Sequence, residues 1–465
     1  MLFVTGATAA TYYVTSDLQS AINKAAPGDT LMVAPGAYER IVISKSLSII
    51  GDGATVTAGI TEACITVTAD SVNITGFTVT EGLYGIYLDN VSGCYIYNNT
   101  AIFCKQPGIA LLSSSNNIVA YNNASFNGIV GEGWYGIYLS SSNGNQIIGN
   151  VASDNGAYGI FLFPFCQNNT IKDNILDRNM YGIDLKKECT GNLIESNRMW
   201  NNIDSGLSMR LNCHDNWILN NSMSGNTVSG ISIWESGNNS IRGNEIRDNG
   251  YFGIHIKDAS GNTIVKNEIY LNKKGISVES DGNHIYNNRI YDNALQAEDR
   301  GTNMWYSFPE GGNFWGDYMG DDADGDGFGD TPYRINEETI DYYPLMEESE
   351  TCSSVIEVIK KSIMPARASI GEQVTVLVEI ATAYNLSYVS VHAVSIEKMT
   401  STRPISMKYK GDGLYEGTLV TALMDPGRYE LLLTTMDYKG NNFEESIGEL
   451  ELLPREGLDL SQITS

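Results

Sequence analysis

Positive charge, cysteine and long apolar runs are all scarce in this chain. Lysine and arginine number 29 against 55 aspartates and glutamates, a formal net charge of −26. That balance excludes nucleic acid as the partner, because its phosphates demand a basic footprint. Seven cysteines in 465 residues make no disulfide framework, and an odd number leaves one unpaired. No segment reaches the run of about eighteen apolar residues that reads as a membrane span. At this length, two or more domains or a repeat array are expected. The start, Met1 to Val4, is apolar, and Ala7-Thr8-Ala9 has the small-x-small form of a secretory cleavage site, though the basic n-region is missing. Residues 1–9 therefore read as the remnant of a secretion signal.

What is abundant is a repeat. A glycine followed by isoleucine or leucine recurs at Gly85, Gly108, Gly136, Gly159, Gly182, Gly206, Gly230, Gly253 and Gly275. The spacing is 22–24 residues, with one 28-residue interval before Gly136. Positions one and three after each glycine are apolar, as in Ile160 and Leu162 or Ile254 and Ile256. That period of two is a strand with one buried face. Further on, each unit carries Asn-x-Ile-x-x-Asn, as in Asn192, Ile194 and Asn197, and a third asparagine five residues later, as in Asn202. Each unit therefore has three short strands and three turns, with asparagine expected in the left-handed turn positions. One such unit cannot close a core, but stacked units bury a continuous one. The expected fold is a right-handed parallel β-helix over residues 10–298, with asparagine ladders between coils. An amphipathic helix from Asp17 to Ala25, capped by Ser16 or Asp17, is expected to cover its first coil.

The chain changes character twice more. From Asp317 to Glu350 there are twelve carboxylates and one base, Arg334. Within this stretch Asp322, Asp324, Asp326, Phe328 (through its carbonyl) and Asp330 follow calcium-loop spacing, with Gly327 at the turn position. The bidentate glutamate expected at the twelfth position is replaced by Tyr333, with Glu337 or Asp341 as substitutes. A structural Ca²⁺ is expected to lock residues 299–350 as a cap. The aromatics Phe314, Trp315, Tyr318, Tyr333, Tyr342 and Tyr343 are expected to pack over the last coil. Residues 351–465 lose the repeat asparagines and alternate in short runs such as Gln373 to Ile380. They read as an immunoglobulin-like β-sandwich, a surface for self-association or for other cell-surface proteins.

Registry across coils names the surface columns. Outward positions bring Tyr138, Phe161, Phe163, Asp184, Lys186, Arg210, Trp234, His255 and Lys257 onto one face. Aromatic rings beside charged hydrogen-bonding groups suit a polysaccharide or other glycan. The insertion Gly128–Trp134 swells the turn before this face, with Glu132 and Trp134 placed to overhang it. A polysaccharide-modifying enzyme (lyase, epimerase or hydrolase) is the alternative, with Asp184, Lys186, Arg210, Glu235 and His255 as catalytic candidates. Hydrolysis needs two carboxylates about 5–10 Å apart, and lyase or epimerase chemistry needs a base. No Gly-His-Gly, no Asp-Asp pair on a strand and no Asp-Pro-His occurs in the coils. A structural or assembly component of the cell surface is a further alternative.

Cys166, Cys189 and Cys213 share a column whose other members are Ser114, Ser142, Ser236, Ala259 and Ser280. Such a column reads as a small buried site. Eight Asn-x-Ser/Thr sequons, among them Asn73, Asn90, Asn123, Asn238 and Asn385, follow from the abundance of asparagine and serine.

The opening, Leu18, Gln19, Ala21 and Ile22 through Pro27-Gly28-Asp29-Thr30 to Pro35, Gly36 and Tyr38, resembles that of pectin-lyase-fold proteins. The asparagine-rich coils resemble the carbohydrate-binding and sugar-hydrolysis branch of that fold. Gly312 to Tyr318, Asp330 to Tyr333 and Asp341 to Leu345 resemble the end of the coil in the NosD-like family of surface and periplasmic β-helix proteins. The resemblance covers roughly residues 11–346 and implies a secreted, cell-surface or periplasmic protein. It also implies a link to copper, with the cysteine column as the soft-metal ladder. Copper is not expected there, since His214 alone accompanies the column in register.

Overall fold

The computed structural model describes residues 9–128 and 134–346, then 357–381, 386–396, 402, 404–411, 413–421, 424–437 and 442–454. The signal remnant up to residue 8, Glu132 and Asn385 lie outside the described residues. The chain divides into two compact units, residues 1–347 and 348–465. Among the described residues no helix is long and apolar enough to cross a membrane.

The first unit is a parallel β-helix with three strands per coil. Its thirteen-stranded sheet 1 runs from Thr11–Val14 to His284–Tyr286. Sheet 2 comprises a four-stranded and a seven-stranded stretch, linked by single bridges through Asn123 and Val151. Sheet 3 has twelve strands, from Ile41–Ile43 to Leu295–Asp299. Register is kept coil after coil, with Ile160, Ile183, Leu207, Ile231, Ile254 and Ile276 aligned on the inner side of sheet 3. All six are fully buried. The helix α1 (Leu18–Lys24) buries Leu18 and Ile22 at the first coil, and its N-cap Asp17 accepts from the Ser20 amide at 2.9 Å.

The repeated glycine is required by close approach. A Cβ on Gly182 would lie 2.6 Å from the Gly206 carbonyl oxygen, and one on Gly206 would lie 2.9 Å from that of Gly230. The asparagines form three ladders. In the first, each backbone N–H from Asn117 to Asn283 donates to the Oδ1 of the next coil's asparagine at 2.8–3.1 Å. The ladder asparagines do not occupy the left-handed position. The residue before them does, as at Asn168, Asp173, Ser196 and Asn220. The ladder site therefore needs the carboxamide for its hydrogen bonds, whereas the turn site needs only tolerance of positive φ.

Each ladder ends on an acceptor, because its polarity leaves donors at the C-terminal coil. Asp341 accepts from the Asn313 N–H at 2.7 Å and from Trp315 Nε1 at 2.9 Å. Asp299 accepts from Asn303 Nδ2 at 2.8 Å and from Trp305 Nε1 at 2.7 Å. Gln296 Oε1 accepts from Asn293 Nδ2 at 3.0 Å. Trp305 and Trp315 are buried, and Trp315 stacks on Tyr333 at 4.2 Å. Tyr342 and Tyr343 are exposed instead of packed over the coil, so burial of the cap rests on the tryptophans.

The second unit is a β-sandwich. One sheet holds Glu357–Met364, Gln373–Ala381, Leu414–Val420 and Lys408–Gly411. The other holds Arg367–Ser369, Asn442–Leu453, Gly427–Asp437, Leu386–Ser395 and Ile405–Ser406. Val374, Val376 and Val378 from the first share a core with Val391, Leu431 and Leu433 from the second.

Candidate functional site

The outer side of sheet 3 divides into an aromatic half and a polar half. Strands Tyr135–Ser140, Tyr158–Leu162 and Tyr181–Lys186 each start with a tyrosine just before the repeated glycine. These tyrosines point outward with the residue three positions on, because alternation breaks at the glycine. Along the coil axis Tyr135 packs at a tilt on Tyr158 at 5.2 Å, and Tyr158 stacks on Tyr181 at 5.4 Å. Phe161 packs on Tyr158 at 4.4 Å, on Tyr138 at 5.7 Å and on Phe163 at 5.6 Å. Trp134, the last residue of the insertion, sets its edge against Tyr135 at 5.7 Å and so reaches this face. The tyrosine row is absent from the period-two reading. The recurrent Tyr-Gly pairs at residues 84, 135, 158 and 181 carried the signal.

The polar half begins at Asp184. The sequence pattern puts this carboxylate on an exposed face, and the structure buries it completely. Arg210 on the next coil covers it, with Nη2 at 2.7 Å from Asp184 Oδ2, and the Ser208 hydroxyl also donates to it. Burial pushes the Asp184 carboxyl up, and the guanidinium opposes that shift. Arg210 in turn lies over the Tyr181 ring at 5.0 Å, and the Tyr181 hydroxyl donates to Asp204 at 3.0 Å. Burial raises the Tyr181 phenol, which keeps it protonated as a donor. Phe161 is likewise buried, at 5 % exposure, under its neighbouring rings.

Two coils further on, Trp234 is 46 % exposed, with Lys257 Nζ over its ring at 5.5 Å. His255 is nearly buried, stacked on Phe252 at 4.2 Å and edge-on to Trp234 at 6.4 Å. Its Nε2 is 3.7 Å from Glu279 Oε1, too far for a hydrogen bond, and has no other partner. Burial lowers its pKa, so the ring is neutral at pH 7. Lys186 lies over Phe163 at 5.9 Å. Glu235 sits apart from Asp184, exposed on the turn with φ 49°. It lines a turn groove of about 490 Å³ with His214, Asp215 and Asp258. Tyr138, Phe161, Phe163, Asp184, Lys186, Arg210, Trp234, His255 and Lys257 thus share one sheet face, and Glu235 borders it.

Two possible metal positions lie elsewhere. Asp322, Asp324 and Asp326 bring carboxylate oxygens within 4.8 Å of one another. Asp322 accepts from the Gly325, Asp326 and Gly327 amides, and Asp330 from Ala323. The six cysteines among the described residues are free and buried. In the column, Cys166, Cys189 and Cys213 donate to the carbonyls of Leu139, Leu162 and Arg210 at 3.4, 3.4 and 3.2 Å. The Cys189 thiol and burial raise the Cys166 and Cys213 thiols well above the ordinary range.

A 76-residue stretch is 40 % identical to a cell surface glycoprotein of Methanothermus fervidus, covering 16 % of this chain and 13 % of that relative. Among solved structures, the A-module of the mannuronan C-5 epimerase AlgE4 of Azotobacter vinelandii is similar at 14 % identity. The match covers 63 % of this chain and 91 % of that one, with a TM-score of 0.43. An alginate lyase of a Paenibacillus species is similar at 18 % identity over 62 % of this chain and 99 % of that one, with a TM-score of 0.39. Likeness at this level bears on neither substrate nor mechanism. The family model described as periplasmic copper-binding protein (NosD) matches residues 22–205 and 164–320. These two segments take in well over half of the chain, which therefore belongs to the NosD family.

Proposed function

We propose that the protein is a carbohydrate-recognising β-helix protein of the cell surface or periplasm, and that the outer side of sheet 3 is its binding face. The observation that carries this reading is the half-exposed Trp234, flanked by Arg210, His255 and Lys257 on the sheet face that also carries the aromatic half. An exposed indole offers a flat apolar surface to a sugar ring, and the polar neighbours fix its hydroxyls. The family's periplasmic description and the stretch shared with a cell surface glycoprotein support the location. Binding to a glycan panel tests the reading. Trp234→Ala should weaken the best glycan by about 1–3 kcal/mol, as removal of an anchor does, and an unchanged affinity would refute the assignment.

The acidic loop is proposed as a structural Ca²⁺ site held by Asp322, Asp324, Asp326, the Phe328 carbonyl and Asp330. Three carboxylate oxygens so close repel one another unless a cation lies between them. Calcium should raise the melting temperature of the first unit, and Asp324→Ala with Asp326→Ala should abolish that response. Copper does not fit the cysteine column. Its thiols are sealed from solvent and donate to backbone carbonyls. The Cys189 thiol and burial hold Cys166 and Cys213 protonated, while their hydrogen bonds lower Cys189 alone, whereas a copper ladder needs thiolate on successive coils.

A further inference from the structure

The charge that the middle of the face presents to solvent is of one sign. On the strands Tyr181–Lys186, Ser205–Arg210, Ser229–Trp234 and Phe252–Lys257 the charged side chains are Asp184, Lys186, Arg210 and Lys257. Asp184 is sealed beneath Arg210, and His255 is neutral. Every charge these four strands expose is therefore positive, in a chain of net charge −26.

These cations are also in line. Lys186, Arg210, Trp234 and Lys257 are register partners on successive coils, a column about 14 Å long at the usual strand spacing. Each cation lies over a ring: Lys186 on Phe163, Arg210 on Tyr181 and Lys257 on Trp234. Lys187, just past the strand, lies over Phe165 at 5.5 Å. Among the described residues neither Lys186 nor Lys187 has an ion-pair partner, whereas Lys257 pairs at 3.9 Å with Glu279, its register partner on the next coil, where the run of cations ends. Solubility does not require cations on so acidic a chain. The turn bordering the column carries Glu188, Glu235 and Asp258, so an anion has its favourable position on the strands and is repelled from that edge.

We propose that the glycan is an acidic polysaccharide, bearing carboxylate or sulfate groups that the Lys186–Arg210–Lys257 column receives while Trp234 takes the face of a sugar ring. This rests on the glycan reading above and adds the chemical class. The remote acidic loop does not oppose it, because charges more than about 8 Å away are screened at physiological ionic strength. A charge-assisted hydrogen bond from each cation is roughly twice as strong as a neutral one, so the anionic groups decide between otherwise similar polymers.

The test measures binding of the full chain at about 0.15 M ionic strength. The probes are polygalacturonate, polymannuronate and chondroitin sulfate, each beside its methyl-esterified or desulfated counterpart, with neutral galactan, neutral mannan and inorganic polyphosphate. At least one acidic polymer should bind and lose roughly tenfold or more in affinity when its charge is removed. The same loss should follow in Lys186→Gln with Lys257→Gln, whose side chains are exposed enough to leave the melting temperature unmoved. A neutral polymer bound as tightly as any acidic one, with no loss in that variant, would overturn the acidic class and leave the glycan reading standing. Polyphosphate bound as tightly as the best acidic polymer would also overturn it, since the column would then be a generic anion site. Binding to none of the polymers would overturn both readings.

Discussion

The two halves of the sheet 3 face solve the same problem by different means. Both cover a strand surface with large side chains. In the aromatic half, Tyr135, Tyr138, Tyr158, Phe161 and Phe163 cover one another through ring contacts. In the polar half, Arg210 reaches back over Asp184, and serines at 205, 208, 229 and 232 replace the rings. Ring contacts are numerous and individually weak, so their loss is shared among neighbours. The ion pair is a single contact, and removing one partner leaves a buried charge. The aromatic half should therefore tolerate substitution, whereas the polar half should fail at one point and in exchange leave Trp234 and the lysines free to bind.

The largest effect is expected where that difference is sharpest. Arg210→Ala should destabilise the first unit by about 3–5 kcal/mol, the usual result of orphaning a buried charge. Adding Asp184→Ser should restore most of the loss, because serine already occupies that column at 208 and 232. Denaturant unfolding of the single and double variants measures both, and a single variant as stable as the parent would remove the distinction between the halves.

A second buried carboxylate sharpens the comparison. Asp341 at the end of its ladder has N–H donors but no cation, and burial pushes it up to about 6. Its folded pKa lies above the unfolded one, so the folded state takes up the proton more readily. The stability this group contributes is full below about pH 4 and is lost as pH rises through 6. The unfolding free energy of the parent, less that of Asp341→Asn, should fall by up to about 3 kcal/mol between pH 4 and pH 7. A difference that does not change with pH would mean that the donors fully offset burial.

Smaller effects belong to the rings. Tyr158→Leu, which keeps much of the apolar contact, should cost about 0.5–1.5 kcal/mol, the worth of an aromatic pair beyond its area. Trp234→Ala should change stability by no more than about 0.5 kcal/mol, since the side chain is half exposed, while the loss falls on binding. Thermal melts of these variants place the aromatic half and the binding edge on one scale. A melt depressed by Trp234→Ala as much as by Arg210→Ala would make Trp234 part of the scaffold.

Much of the face was legible in the chain itself. The Gly-Ile pairs gave the register that brings Lys186, Arg210, Trp234 and Lys257 into one column, because a parallel coil keeps its spacing from one turn to the next. The clustering of Asp322, Asp324 and Asp326 was legible because these residues are close in the chain. The buried state of Asp184 was not, since it depends on which way a side chain 26 residues later leans. Nor was the tyrosine row, because strict alternation hides a residue that turns outward beside a glycine.

Repetition along the chain set the coil length, the three strands per coil and the asparagine ladders, and local pattern set the helix over the first coil. A repeat of 22–24 residues with in-phase apolar pairs has one way to bury its core, and every coil repeats the vote. Packing between coils settled which carboxylates are sealed, which cations remain free, and where the ladders end, on Asp299, Asp341 and Gln296. Those outcomes are set by single contacts between neighbouring coils or at the end of the stack, where no repetition averages out the particular side chain, so no pattern announces them.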